Sequence, residues 1–336
     1  MLTISCDEPG RLRAVQRPVP QRGADEVLVR IQRVGVCGTD LHIFAGNQPY
    51  LSYPRVMGHE LAGTVTEAPE GSDLAFGEIV CIIPYWSCGT CRACRRGKPN
   101  CCRQLEVLGV HRDGGMTEHL AVPRRFVLPA RGLSLDEAAM VEFLAIGAHA
   151  VRRSGCGKDD RVLVTGAGPI GMAVAIFAGL SGAAVTVLDG RRNRLDFCAA
   201  HLGVAGTVEL GDGDAARLDA VTGGDGFDAV FDATGNPAAM ERGFGFVGHG
   251  GAYVLVSIVA ATIGFADPEF HKRETTLLGS RNATLADFEH VLAALRAGQV
   301  PTAALATHRL RLADVPERFP ALLDPEARVV KALVEV

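Results

Sequence analysis

Along residues 24–36 (Ala-Asp-Glu-Val-Leu-Val-Arg-Ile-Gln-Arg-Val-Gly-Val) apolar and polar positions alternate over much of the run, the pattern of a strand with one buried face. Further strand signals at Leu61–Thr66, Ile79–Ile83 and His119–Val122 are separated by Gly, Pro and Asp turns. The first half therefore reads as a small, irregular β-rich domain whose loops carry polar groups. At Met140 the pattern changes, and Met140-Val-Glu-Phe-Leu-Ala opens an apolar helical stretch that runs through His149 to Arg153. Beyond it, strand and helix signals alternate: a strand at Asp160–Thr165, a buried helix to Leu180, and strands at Ala184–Asp189, Ala229–Ala233 and Ala252–Ser257. Thr275–Gly279 reads as an edge strand. That alternation predicts an α/β half with a doubly wound parallel sheet.

The stretch Val162–Leu188 carries no charge and is long enough to cross a bilayer. It is broken by Gly166, Gly168, Pro169, Gly171, Gly179 and Gly182, so strand, turn, helix and second strand account for it better than a membrane helix. A length of 336 residues exceeds one ordinary core and favours two domains. With 48% hydrophobic and 21% charged residues the chain is globular in composition, and a net charge of −4 provides no general attraction to nucleic acid or to an anionic membrane. The first residues contain no apolar leader segment, which gives a cytoplasmic expectation. In that setting ten cysteines favour metal or catalytic roles over disulfides.

Cys88-Gly-Thr-Cys91-Arg-Ala-Cys94, with Cys102 seven residues further on, places four thiolates in one loop, the donor set of a closed structural zinc site. Cys101 beside Cys102 leaves the fourth ligand open on spacing alone. Arg92, Arg95, Arg96, Lys98 and Arg103 surround the cluster; they are read as offsetting the negative charge of a zinc tetrathiolate, not as a nucleic-acid patch. A second constellation, Cys37-Gly-Thr39-Asp40-Leu-His42 and then Gly58-His59-Glu60, gathers thiol, imidazole and carboxylate, all of which bind zinc. Glu142, alone among Met, Val, Phe and Leu, is hard to bury without a partner.

The strand ending at Thr165 runs into Gly166-Ala-Gly168-Pro169-Ile170-Gly171, a helix and a strand that ends in Asp189. This is the Rossmann dinucleotide fingerprint. Gly166 makes the turn, Gly168 admits the pyrophosphate, Gly171 lets the helix pack, and Pro169 suits a first helical position. Asp189 accepts from the adenosine ribose and repels a 2′-phosphate, which favours NAD. The neighbouring Arg191, Arg192 and Arg194 keep NADP open. Thr234 with Gly235, and Ser257 with Ile258, follow strands at the ends where such sheets hold ligands.

Taken together, Gly-Val-Cys37-Gly-Thr-Asp-Leu-His42, Gly58-His59-Glu60, the four-cysteine lobe and the glycine motif resemble the zinc-dependent medium-chain dehydrogenases, in the polyol (sorbitol) dehydrogenase branch. The resemblance implies a GroES-like catalytic domain of residues 1–146 and 281–336, with the structural zinc lobe at about 86–104, and a Rossmann domain of residues 147–280. It implies two zinc ions per chain. Cys37 and His59 would bind the catalytic one with Glu60 and Glu142, while Cys88, Cys91, Cys94 and Cys102 would bind the other. Asp40 would hydrogen-bond His59, Thr39 would hold the substrate hydroxyl, His42 would relay its proton, and Arg194 would lie near the adenine. In the branch's usual Glu-Pro motif Phe143 stands for the proline.

The stretch Phe270–Asn282 resembles enzymes of sugar acids such as L-gulonate or L-galactonate, with Arg281 and Asn282 as substrate contacts. Relatives also imply a homodimer or homotetramer. The expectation is hydride transfer between a hydroxyl of a small polyhydroxylated substrate and NAD. An NADP-dependent or threonine-type dehydrogenase is the alternative. A zinc-free enoyl or quinone reductase would lack Cys37, His59 and Glu60, and a zinc-cluster nucleic-acid or regulatory protein leaves the dinucleotide half unexplained.

Overall fold

The computed structural model describes residues 1–48 and 51–336, and the chain divides into two compact units. The first comprises 1–143, 284–298 and 302–336, and the second comprises 144–283 and 299–301. The division falls inside the helix Val141–Ser154, three residues before the boundary expected at 146.

In the first unit the long strand Glu26–Val36 is the spine of a seven-stranded sheet. Val27, Val29 and Ile31 are buried, and after a register shift between Ile31 and Arg33 so are Val34 and Val36. It pairs antiparallel with Glu60–Glu67, with His119–Pro123 and with the C-terminal strand Lys331–Glu335. Ile79–Ile82 and Val127–Pro129 extend one side, and Ala306–Arg311 closes the other in parallel with Lys331–Glu335. Leu2–Glu8, Arg11–Gln16 and Arg55–Val56 form a separate three-stranded sheet.

The second unit is built on six parallel strands in the order Gly206–Glu209, Ala184–Asp189, Arg161–Thr165, Phe227–Asp232, Val247–Leu255, Thr276–Gly279. Strand order reverses after Arg161–Thr165, and ligands bind at the strand ends of such a reversal. The charge-free stretch is the strand–helix–strand anticipated from its glycines. Its helix Pro169–Leu180 is buried from Gly171 to Ala178, and no helix among the described residues is long and apolar enough to cross a membrane. Thr276–Gly279 lies at the sheet edge, as the pattern predicted. The fold is thus α/β, with a β-rich GroES-like unit and a doubly wound parallel unit.

Candidate active site

The loop Cys88–Cys102 brings its four sulfurs together. Sγ–Sγ separations are 3.5 Å for Cys91–Cys94, 3.9 Å for Cys91–Cys102 and 3.5 Å for Cys102–Cys88. A zinc tetrahedron with bonds of about 2.3 Å has edges of about 3.8 Å, so the cluster fits that ion. Cys102 is the fourth member; Cys101 is exposed. Backbone and hydroxyl donors from Thr90, with the Cys91 N–H, pull the Cys88 thiol down to about 6, which readies it as a thiolate.

The second cluster grows from the central strands. Cys37 follows Glu26–Val36 directly and caps the helix Gly38–Ala45, while His59 immediately precedes, and Glu60 opens, the strand Glu60–Glu67. Ligand atoms of Cys37, His59 and Glu60 all lie within 4.8 Å of one another. Gly35 faces Glu60 in the ladder, and a Cβ there would come within 1.9 Å of Glu60 Oε2, so only glycine leaves room for this carboxylate. Asp40 is fully buried and accepts from the backbone N–H of Cys37 at 2.9 Å and of Gly58 at 3.1 Å. It straps the two ligand-bearing loops together. Its Oδ1 is 3.9 Å from His59 Nδ1, too far for the hydrogen bond the resemblance implied.

Glu142 lies buried in the first turn of Val141–Ser154. The Tyr85 hydroxyl donates to its Oε1, and Oε2 is buried with no partner. Burial pushes this carboxyl up to about 7, although His59 pulls the other way. His59 Nδ1 is likewise buried without a partner. Burial opposes charge on His59, yet Asp40, Cys37 and Glu142 raise its pKa well above the ordinary value. Thiol, imidazole and carboxylate donors from Cys37, His59 and Glu60 fit a divalent zinc ion, whereas Glu142, also expected as a ligand, is not among the clustered ligand atoms.

Lys331 and Tyr85 were not anticipated. Lys331, 1% exposed, donates to Glu60 Oε1 at 2.6 Å, to Oε2 at 2.7 Å and to the Val36 carbonyl at 3.2 Å. Burial works against its charge, but Glu60 raises its pKa above the usual lysine value. The available signal was a lone lysine between Val330 and Ala332 in an apolar run. Thr39 is half-buried in the first turn of Gly38–Ala45, whereas His42 is exposed with Nδ1 2.9 Å from Asn47 Oδ1.

In the second unit a cleft of about 640 Å³ is lined by Gly166, Gly168, Asp189, Arg194 and Thr234 among others. Gly166 has φ +92° and packs on the backbone of Ala233 and Thr234. A Cβ on Gly171 would lie 1.8 Å from the Gly166 carbonyl oxygen, whereas one on Gly168 would meet nothing within 4 Å. Space beside Gly168 is therefore open where a pyrophosphate would approach the helix N-terminus. Pro169 and Ile170 form that helix's first turn and, with Gly171, stand behind the lining.

Asp189 accepts from the N–H groups of Ala167 at 2.6 Å and Arg191 at 2.7 Å, so its carboxylate is fixed at the cleft. Burial lowers the Arg194 pKa. Asp232, also unanticipated as a site residue, is fully buried and accepts from Thr165, from the Thr234 amide and hydroxyl, and from Ser257. It ties three strand ends together. Ile258 is 77% exposed, Arg281 is exposed, and Asn282 adopts φ +52°.

Sequence comparison matches residues 23–132 to the alcohol dehydrogenase GroES-like domain and residues 169–297 to the zinc-binding dehydrogenase family. The chain is 40% identical over 335 residues to L-galactonate-5-dehydrogenase of Escherichia coli (strain K12), covering 99% of this chain and 98% of the relative. It is 34% identical to 2-dehydro-3-deoxy-L-galactonate 5-dehydrogenase of Pseudoalteromonas atlantica, covering 94% and 92%. The solved structure of short chain alcohol dehydrogenase (rspB) from Escherichia coli CFT073, complexed with NADH, superposes with a TM-score of 0.93 at 29% identity, covering 100% and 99%. The expected zinc and nicotinamide dinucleotide chemistry, and the expected enzyme class, therefore hold. The chain belongs to the zinc-binding dehydrogenase family, as an oxidoreductase with a GroES-like catalytic unit and a Rossmann unit.

Proposed function

We propose that the protein oxidises a secondary hydroxyl of a sugar acid with NAD. The observation that carries this is the cluster of the half-buried Cys37 with the buried His59 and Glu60, with no second thiolate among the clustered donors. An oxygen-rich set of this kind suits polyhydroxylated substrates, and the two named sugar-acid relatives point the same way. Zinc, when bound, supplies Lewis acidity that makes a substrate hydroxyl easier to deprotonate.

Cys37 and His59 hold that ion, and Asp40 fixes their loops. Thr39 orients the hydroxyl and His42 passes its proton to solvent. Gly166, Gly168 and the first turn from Pro169 through Ile170 to Gly171 seat the pyrophosphate. Asp189 takes the adenosine ribose and Arg194 flanks the adenine. Thr234, Ser257 and Ile258 border the nicotinamide side. Arg281 and Asn282 contact the substrate, the guanidinium suiting a carboxylate. The edge strand Thr276–Gly279 is the pairing surface of a homodimer or homotetramer, and the enzyme works in the cytoplasm.

The test is a panel of aldonates and polyols with NAD and with NADP, followed by nicotinamide absorbance. Sugar acids with NAD should give the highest kcat/KM. Turnover confined to simple alcohols, or unaffected by Cys37→Ala, would overturn the assignment.

A further inference from the structure

Asp232 ends the strand Phe227–Asp232, which lies next to Arg161–Thr165 across the reversal of strand order, and it is 0% exposed. Its Oδ1 accepts from the Thr234 amide, the Thr234 hydroxyl and the Ser257 hydroxyl, each at 3.0 Å. Its Oδ2 accepts from the Thr165 hydroxyl at 2.9 Å and the Thr234 hydroxyl at 3.1 Å. Every one of these partners is neutral, so dipoles hold the carboxylate and no ion pair among the described residues cancels its charge. Buried charges are ordinarily paired, because burial is costly and an unpaired charge acts over a long range where the dielectric is low. Here the charge is felt outside the network: burial first, and then Asp232, raise the pKa of the Tyr253 hydroxyl.

Two of the donors, Thr165 and Thr234, also line the dinucleotide cleft, as does Ala233, so the charge lies directly beneath the floor of that cleft. A doubly wound sheet takes a dinucleotide across the strand-order reversal, one nucleotide on each half. Asp189, at the end of Ala184–Asp189, marks the adenosine half. The half that carries Asp232 and Ser257 is then left to the nicotinamide nucleotide. The oxidised and reduced dinucleotides share the adenosine and the pyrophosphate and differ by one positive charge on the nicotinamide ring. Whatever Asp232 does to the shared parts it does to both forms, so only the ring charge can make it distinguish them.

We propose that Asp232 selects the redox state of the cofactor: its uncancelled buried charge favours the oxidised dinucleotide over the reduced one, besides tying the strand ends together. The proposal deepens the dehydrogenase reading and rests on it. Favouring the oxidised form helps the reduced one to leave, which suits hydroxyl oxidation, since product release limits turnover in many enzymes.

The experiment measures the dissociation constants of the full chain for NAD+ by calorimetric titration and for NADH by its fluorescence. Asp232→Asn removes the charge and can keep the network. Its Oδ1 still accepts from the Thr234 amide and the Ser257 hydroxyl, and its Nδ2 donates to Thr165, whose own hydroxyl has the Phe231 carbonyl at 3.1 Å as an acceptor. The constant for NAD+ divided by that for NADH should rise on the order of tenfold in this variant. A tenfold change corresponds to about 30 mV in the potential of the bound couple. Salt screens a buried charge little, so the shift should be the same at low and at high ionic strength. Asp189→Asn removes a charge at the adenosine end and should weaken both forms alike, leaving the ratio within about twofold of the parent's.

An Asp232→Asn protein whose ratio stays within about twofold of the parent's, or falls, overturns the proposal, because a role confined to tying the strands moves both constants together. Asp232→Ser deletes the same charge and keeps an oxygen that accepts from the Thr234 amide, so it provides the same comparison if the asparagine variant does not fold. A parent that binds neither NAD+ nor NADH overturns the underlying dehydrogenase reading, and the proposal with it, by a result distinct from an unmoved ratio.

Discussion

Replacing Lys331 with methionine keeps much of the stem and deletes the charge. In the folded first unit this strands Glu60, which is 0% exposed and loses contacts of 2.6 and 2.7 Å. Removing one partner from a buried ion pair costs about 3–5 kcal/mol, because the remaining charge is uncompensated. At about 2–4 °C per kcal/mol for a unit of this size, the thermal midpoint of metal-stripped protein should fall by about 10 °C. Glu60→Gln combined with Lys331→Met removes both charges and should recover more than half of that loss. In zinc-loaded protein the drop should be smaller, since a nearby cation can take over as counter-charge to Glu60. Scanning calorimetry on the parent, the single variant and the double variant, with and without zinc, measures each quantity. A single variant within about 1 kcal/mol of the parent, or a double variant no more stable than the single, would refute the claim that Lys331 neutralises Glu60.

Elemental analysis should find two zinc ions per chain, and Cys94→Ser should remove one while lowering thermal stability; an unchanged zinc content would remove the four-cysteine site from this account. Gly171→Ala places a Cβ where the Gly166 carbonyl stands, so NAD affinity measured by calorimetric titration should weaken by tenfold or more, and parent-like binding would contradict the packing described. Asp214, paired with Arg242 and depressed by that partner to about 2, stabilises the second unit when ionised. Its contribution is complete above about pH 4, the unfolded value, and disappears as pH falls towards 2. Arg242→Met should therefore cost about 1–2 kcal/mol at pH 7, after allowance for the solvent reaching Arg242, and the difference from the parent should shrink between pH 4 and pH 3. A cost independent of pH would show that the pair acts through packing alone.

The dinucleotide half was legible because its information is local. The turn at Gly166, the close approach at Gly171 and the acid at Asp189 all lie within one strand–helix–strand unit, and each role follows from backbone geometry over a few residues. The four-cysteine lobe was legible for the same reason, although choosing Cys102 over Cys101 required the fold to bury one and expose the other. Asp40 shows the limit of reading a role from a motif. The residue sits where the resemblance placed it, but its carboxylate holds the Cys37 and Gly58 amides and not the His59 ring. Two strands at each end of the chain were not foreseen, since Leu2–Glu8, Arg11–Gln16, Ala306–Arg311 and Lys331–Glu335 are short and carry no turn motif that marks them.

By itself, then, the sequence determined the two-unit α/β class, the donor types for two zinc sites and the dinucleotide motif, all written in spacings of a few residues. Only the tertiary structure decided how the buried charges are balanced. Glu60 and Lys331 are 271 positions apart and meet because Glu60–Glu67 and Lys331–Glu335 flank Glu26–Val36 in the same sheet. Tyr85 reaches Glu142, and Phe143 reaches Lys331, through the same packing. Strand order and register set the Glu60–Lys331 pair, and a one-residue slip would turn either side chain to the opposite face.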